Sequence, residues 1–478
     1  MLKRLIAVII PLFVGLEVFS QVPCQDLTLS DITFVRQNFK RNFYSDGIVT
    51  SELNLNGTDL FLDCADNLIV SEGTELHQES DALVFDSAGR VRIAAFHPYY
   101  CYEAVFEGNG GIVFYANDGS DEIKVSGPKK LRVQYTGKRY HVFDLDGTEW
   151  KLLRSESRDM RRSDTPMKWS WGVYGEAGTR IKLARSLLSS GTGQADPQVV
   201  QNSDGTPYIK DGRLYVCLTT RGFKQIPDSY QGVYSLGLTG FDLRLEGALF
   251  FCDGPDDVML RPYHATKIVR DNDRWLVITT THGGVHDLAW AESDVDLMHG
   301  VHLLECHDLD YPHNNDGTSE DPDIFFDSQA GLWRLGYCAR VGDNNGNILS
   351  YRTFLCESKN WNGPYKNIAR NDQDNCTGIR IAKVGGHRYV LSGGTGSDLH
   401  VFNYPTLETV GKLNIEFAPG GSRAWPTIVP IPYGNYERYL LITFDHGHIT
   451  GNFSYGTLHY FLGDKMWKKT GVAEKMNE

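Results

Sequence analysis

The 478-residue chain is 41% hydrophobic and 12% aromatic and carries 49 glycines, enough apolar residues and turns for two or three domains with their own cores. Its formal net charge of −13 excludes recruitment of nucleic acid or an anionic membrane surface through bulk charge. A local basic pocket for an acidic sugar remains compatible with that charge.

The first twenty residues place Lys3 and Arg4 ahead of an apolar run and end on the small Ser20. This is the pattern of a secretory signal peptide over 1–20, and the run is short for a membrane span. The expected location is therefore secreted or periplasmic. Gln21-Val22-Pro23 is a poor lipidation site before Cys24, so a lipoprotein is the less favoured form. No later run is apolar and long enough to predict membrane insertion.

Residues 26–185 read as a unit of short strands, among them Ala82-Leu83-Val84-Phe85 and Gly111-Ile112-Val113-Phe114-Tyr115. Turns such as Asn117-Asp118-Gly119 separate them. Scarce helical periodicity and alternating patterning predict an all-β chain that starts with a β-sandwich. Residues 186–194 are small and polar and read as a linker. Residues 195–468 form the second unit, and the charged stretch from Lys465 onward reads as a frayed tail. The nine cysteines include no Cys-x-x-Cys pair, which argues against a thiolate metal site. Cys217, Cys338 and Cys356 sit inside strand patterns as small buried hydrophobes.

The second unit repeats. Gln194-Ala195-Asp196-Pro197 leads to the strand Leu214-Tyr215-Val216-Cys217, and four further two-part units start at His264, Asp321, Thr377 and Trp425. Aligned on the residue before Pro, Ala or Gly, the column is Asp196, His264, Asp321, Thr377 and Trp425. A repeat of about 50 residues built only of short strands predicts a five-bladed β-propeller, in which such a column becomes a ring around one channel. Two carboxylates and an imidazole in one ring are acid and base groups facing each other.

These phrases resemble those of glycoside hydrolase family 43 and related five-bladed propellers. Ala195-Asp196-Pro197 is similar to the first blade of that group, and Glu320-Asp321-Pro322-Asp323 to a second acidic blade start. Leu288-Ala289-Trp290-Ala291-Glu292-Ser293 and the Asn362-Gly363-Pro364-Tyr365 phrase are similar to its third strands. Trp169-Ser170-Trp171-Gly172-Val173 resembles a closing strand of a concanavalin-like jelly roll. The resemblance implies hydrolysis of a glycosidic bond in a plant or algal polysaccharide or oligosaccharide, in an exo manner. It implies Asp196 as base and Asp321 as the residue that tunes the proton donor. That donor is usually a Glu of a later blade, where this chain has Thr377 and Trp425. His264, Glu320 and Glu292 are the candidate replacements, His264 first; along a regular strand Glu320 would face away from Asp321, and Glu292 lies on a later strand.

Arg261, Arg380 and Arg423 flank the blade starts and suit a uronate or sulfated sugar. Trp425 would stack on a sugar face, with Thr377, His282 and His286 also at the substrate. His282 and His286 lie in a glycine-containing loop with no metalloprotease Glu, so no metal ligands are expected there. No cofactor is expected, although a structural cation such as calcium would suit the channel. A non-catalytic carbohydrate-binding propeller and a polysaccharide lyase are the alternatives.

Overall fold

The computed structural model describes residues 18–23, 26–37, 47–53, 70–72, 75–148, 150–189, 191, 193–221, 229–254, 256–282, 285–313, 318–342, 348–394, 398–413, 415, 425–445 and 457–469. Among them strand is the dominant element and helix is almost absent.

Two sheets share the first core. One runs Glu122–Ser126, Gly110–Ala116, Trp169–Gly175, Gly89–Ala95 and Val70–Glu72. The other is built around Tyr100–Glu107 and Arg180–Ser189, flanked by Lys130–Tyr135, Arg139–Asp144 and Lys151–Ser157 on one side. Phe96, Tyr102, Phe114, Tyr135 and Trp171 fill the space between the sheets. Phe96 stacks on Tyr102, and other rings meet edge-on or tilted, at centroid distances such as 4.8 Å for Phe96–Tyr135 and 5.1 Å for Tyr102–Trp171. This is a β-sandwich, as its alternating strands require.

Five further sheets follow as blades. Blade 1 begins with Gly193–Val199 and continues through Arg213–Arg221, Ser229–Gly237 and Leu243–Cys252. Blade 2 begins with His264–Asp271, blade 3 with Ser319–Asp327, blade 4 with Thr377–Val384 and blade 5 with Thr427–Tyr433. Each first strand contacts the first strand of the next blade, and that of blade 5 contacts that of blade 1, so the ring closes. The five-bladed propeller is present.

Three boundaries differ from the sequence reading. Phe34–Gln37 is not part of the sandwich. It pairs antiparallel with Thr457–Gly463 as an added strand of blade 5. Leu27, Leu29, Ile32 and Phe34 bury themselves with Leu391, Tyr439 and Phe461 of blades 4 and 5. An early segment thus closes the last blade, where an uncovered sheet edge would otherwise remain. Residues 186–194 are not a free linker. Ser186 to Ser189 finish the strand Arg180–Ser189, and Leu188 is fully buried in a core shared with blade 1. The apolar Leu188 side chain drives that docking. The tail is ordered through Lys465–Lys468, where Met466 and Trp467 are buried. This strand pairs with Val18–Pro23. Most of the predicted signal peptide lies outside the described residues. No helix among the described residues is long and apolar enough to cross a membrane.

Candidate active site in the propeller channel

The first strands of blades 1 to 4 share one irregularity. Pairing with the second strand breaks between Ala195 and Gln198, His264 and Lys267, Glu320 and Asp323, and Thr377 and Arg380. Inside each break one residue adopts a left-handed backbone: Asp196 (φ 54°), Ala265 (φ 55°), Asp321 (φ 65°) and Gly378 (φ 67°). Aspartate and glycine tolerate this conformation better than most residues; for the others it costs about 1–3 kcal/mol. A bulge of this kind re-aims side chains and suspends the period-2 alternation.

The bulge also corrects the sequence alignment. His264 and Thr377 belong with Ala195 and Glu320, whereas Asp196 and Asp321 belong with Ala265 and Gly378. The predicted column was one residue out of register in blades 2 and 4. For the same reason Glu320 does not face away. Its Oε2 lies 3.5 Å from His264 Nε2 and 3.3 Å from His286 Nδ1.

Threonines at the ends of second strands fix the bulges. Thr219 Oγ1 accepts the Ala265 N–H at 3.1 Å, and Thr280 Oγ1 accepts the Asp321 N–H at 2.9 Å. Thr443 Oγ1 accepts the Trp425 N–H at 2.9 Å. Across the axis, Gln198 Nε2 donates to Pro322 O at 2.8 Å and to Ala265 O at 3.3 Å. Thr427 Oγ1 donates to Pro197 O at 2.8 Å. These bonds link blades 1, 2, 3 and 5 beside the carboxyl groups.

Asp196, His264, Glu320 and Asp321 are all buried, with exposures of 4 to 9%. Asp196 Oδ2 is 3.5 Å from Arg221 Nη2, the last residue of a blade 1 strand. Asp321 Oδ2 accepts the Gly378 N–H at 2.9 Å and the Cys338 thiol at 3.4 Å. Burial, then the charges of Glu320 and Asp196, push the Asp321 carboxyl up to about 7. Burial works in the same direction on Glu320, but hydrogen bonds from His264 and His286 outweigh it and hold Glu320 well below the usual carboxylate range. Tyr351 also hydrogen-bonds Glu320.

A second row lies next along the strands. Lys267 Nζ meets Asp323 Oδ1 at 2.9 Å with both side chains almost fully buried, and donates to Gln201 Oε1 at 2.7 Å. Arg380 completes this row with its guanidinium 4.3 Å from the Trp425 ring centre. Burial lowers the Arg380 pKa to about 10 against the opposing pull of Asp323, Asp321 and Asp196. The Nε and Nη2 atoms of Arg380 have no hydrogen-bond partner among the described residues.

The predicted residues therefore divide. Asp196, His264, Glu320, Asp321, His286 and Arg380 gather at the channel, with His282 on its rim. The His282 ring lies 5.1 Å from that of His286 and 6.0 Å from that of His264. Burial, and then the neighbouring imidazoles, lower its pKa to about 4. Thr377 is buried and its carbonyl accepts the Ser392 hydroxyl at 3.0 Å. Trp425 is 4% exposed. Gly378, Phe444 and Arg380 cover it, so it forms wall rather than an open sugar platform. Arg261 does not join Arg380: it pairs with Asp253 at 2.7 Å and with Asp257. Arg423 lies outside the described residues. The sequence reading missed Arg221, Lys267, Asp323 and Tyr351. The repeated Thr219-Thr220-Arg221 and Thr279-Thr280 phrases at strand ends were the available signal for the first of these.

No family model matches the chain, and no curated protein matches it. Among solved structures, a GH43_1 enzyme from Xanthomonas citri complexed with xylose is 12% identical, with a TM-score of 0.39 over 57% of this chain and 87% of its own. A family 117 glycoside hydrolase from the marine bacterium Zobellia galactanivorans is 13% identical, with a TM-score of 0.41 over 57% and 86%. A thermostable family-43 glycoside hydrolase is 15% identical, with a TM-score of 0.38 over 59% and 91%. The five blades described above rest on strand pairing alone.

Proposed function

We propose that the protein is an exported glycoside hydrolase that acts at the end of a plant or algal polysaccharide or oligosaccharide. The observation that carries this reading is the pair of buried carboxyl groups, Asp196 and Asp321, on matching bulges of blades 1 and 3. Each lies within electrostatic reach of Arg380, and Asp321 senses Asp196 directly.

Cleaving a glycosidic bond needs a proton donor at the leaving oxygen and a base that activates water on the other side of the ring. His264 and Glu320 engage each other and His286, which leaves Asp196 and Asp321 as the working pair. In this reading Asp321 gives its proton to the departing glycosidic oxygen. Asp196 takes a proton from the water whose oxygen forms the new bond to the anomeric carbon. The donor role moves to Asp321 from the His264 or Glu320 first expected. Arg380 favours a substrate with a carboxylate or sulfate near the axis.

The test is incubation of the chain with neutral and uronate-containing oligosaccharides, followed by separation of the products. Release of single sugars from one end, abolished by Asp196→Asn with Tm unchanged, is the expected result. Binding without any product would leave a carbohydrate-binding propeller. An unsaturated product absorbing in the ultraviolet would make it a lyase.

A further inference from the structure

Beside the carboxyl pair lies a second cluster that the proposed hydrolysis does not use. One ligand atom from each of His264, His286 and Glu320 lies within 4.8 Å of the other two. The two distances to the carboxylate oxygen, 3.5 and 3.3 Å, are long for charge-assisted hydrogen bonds, which run to about 2.7–2.9 Å. They do match the edge of a coordination tetrahedron. Ligands about 2.1 Å from a common ion stand roughly 3.4 Å apart when the geometry is tetrahedral.

The geometry points to a divalent transition-metal site formed by His264, His286 and Glu320, with His282 or water in the fourth position. Two imidazole nitrogens and one carboxylate oxygen suit Zn²⁺ or Mn²⁺ rather than Ca²⁺, which takes six or more oxygen ligands.

The ligands come from three separate places that the fold holds rigidly. His264 sits at the blade 2 bulge, and its carbonyl accepts the Thr279 hydroxyl at 3.1 Å. Glu320 sits at the blade 3 bulge and is oriented by the Tyr351 hydroxyl. His286 belongs to the rim loop, and its carbonyl accepts the Ser319 N–H at 2.9 Å. The first and last of these bonds hold the backbone of the two histidines, and the Tyr351 hydroxyl is an outer contact of the kind that orients a ligand side chain in metal sites. His282 also lines a cleft of about 620 Å³ with Thr281, Val285 and Asp287. A bound ion would tie the rim loop to blades 2 and 3.

This inference does not depend on the hydrolase reading, because its readout is metal. The full chain, stripped with chelator and dialysed, is titrated with Zn²⁺, Mn²⁺ and Ca²⁺ by calorimetry, and bound metal is counted by mass spectrometry. The expected result is one equivalent of Zn²⁺ or Mn²⁺ with micromolar or tighter affinity, a raised Tm, and much weaker Ca²⁺ binding. His286→Ala and Glu320→Gln should lose at least 100-fold in affinity, and Tyr351→Phe about 10-fold. His387→Ala, an exposed imidazole of blade 4, should lose nothing. Co²⁺ added to the unaltered chain gives a check that needs no variant: a tetrahedral nitrogen and oxygen site develops visible absorption at one equivalent. Absence of saturable binding, Ca²⁺ preference, or full affinity in His286→Ala would overturn the site. Asp196→Asn should keep the metal while losing turnover, which separates failure here from failure of the proposed reaction.

Discussion

The sandwich and the propeller are built from the same short strands, yet their interiors are opposites. Between the sandwich sheets lie aromatic rings and aliphatic side chains, Trp171, Phe96, Phe114 and Tyr135 among them. Along the propeller axis lie Asp196, His264, Lys267, Glu320, Asp321, Asp323 and Arg380, every one buried. Burying charge is costly unless each group finds a partner, so a charged axis is weak evidence for stability and good evidence for a site. The bulge accounts for much of this difference. A regular strand sends alternate side chains to opposite faces, whereas four bulged first strands turn consecutive residues toward one channel.

Four substitutions test that contrast. The largest effect belongs to the axis: Asp196→Asn should lower kcat by about 10²–10⁴-fold, the usual contribution of a general base, with Tm unmoved. Equal turnover in the variant would remove the carboxyl pair from the chemistry. Next comes Trp171→Ala in the sandwich, a fully buried ring whose loss should cost about 3–5 kcal/mol in denaturant unfolding. A cost under about 1 kcal/mol would mean that the aromatic cluster is loosely packed. Lys267→Met should cost a similar 3–5 kcal/mol, because it strands the Asp323 carboxylate. Its diagnostic is the double variant with Asp323→Leu, which should recover most of the loss; no recovery would mean that packing rather than charge was removed. The smallest effect is Thr427→Val, which deletes one hydrogen bond to Pro197 O between blades 5 and 1 and should cost about 1 kcal/mol.

Arg380 shows how the two kinds of interior meet. Its guanidinium covers the Trp425 ring while facing carboxylates on the other side. Gly378 makes this packing possible. A Cβ there would stand 2.9 Å from the Trp425 ring, on a backbone at φ 67°. Thr377-Gly378 was visible as a blade start, but nothing local announced that the glycine was needed to admit an indole from the next blade.

The repeat itself was legible because every blade must bury one face of its sheet and turn at its ends, and both demands recur in the residues. Five blade starts and an all-β composition followed from that alone. Whether His264 aligned with Asp321 or with Glu320 could not be read, since a bulge is a matter of two strands' pairing and leaves no unique residue signature. Nor could the chain announce that Phe34–Gln37 would complete blade 5 or that Arg261 would be claimed by Asp253 and Asp257. Those outcomes depend on which residues far apart in sequence become neighbours. Local chemistry determines the strands and turns; only closure of the ring decides which charged side chains share a channel.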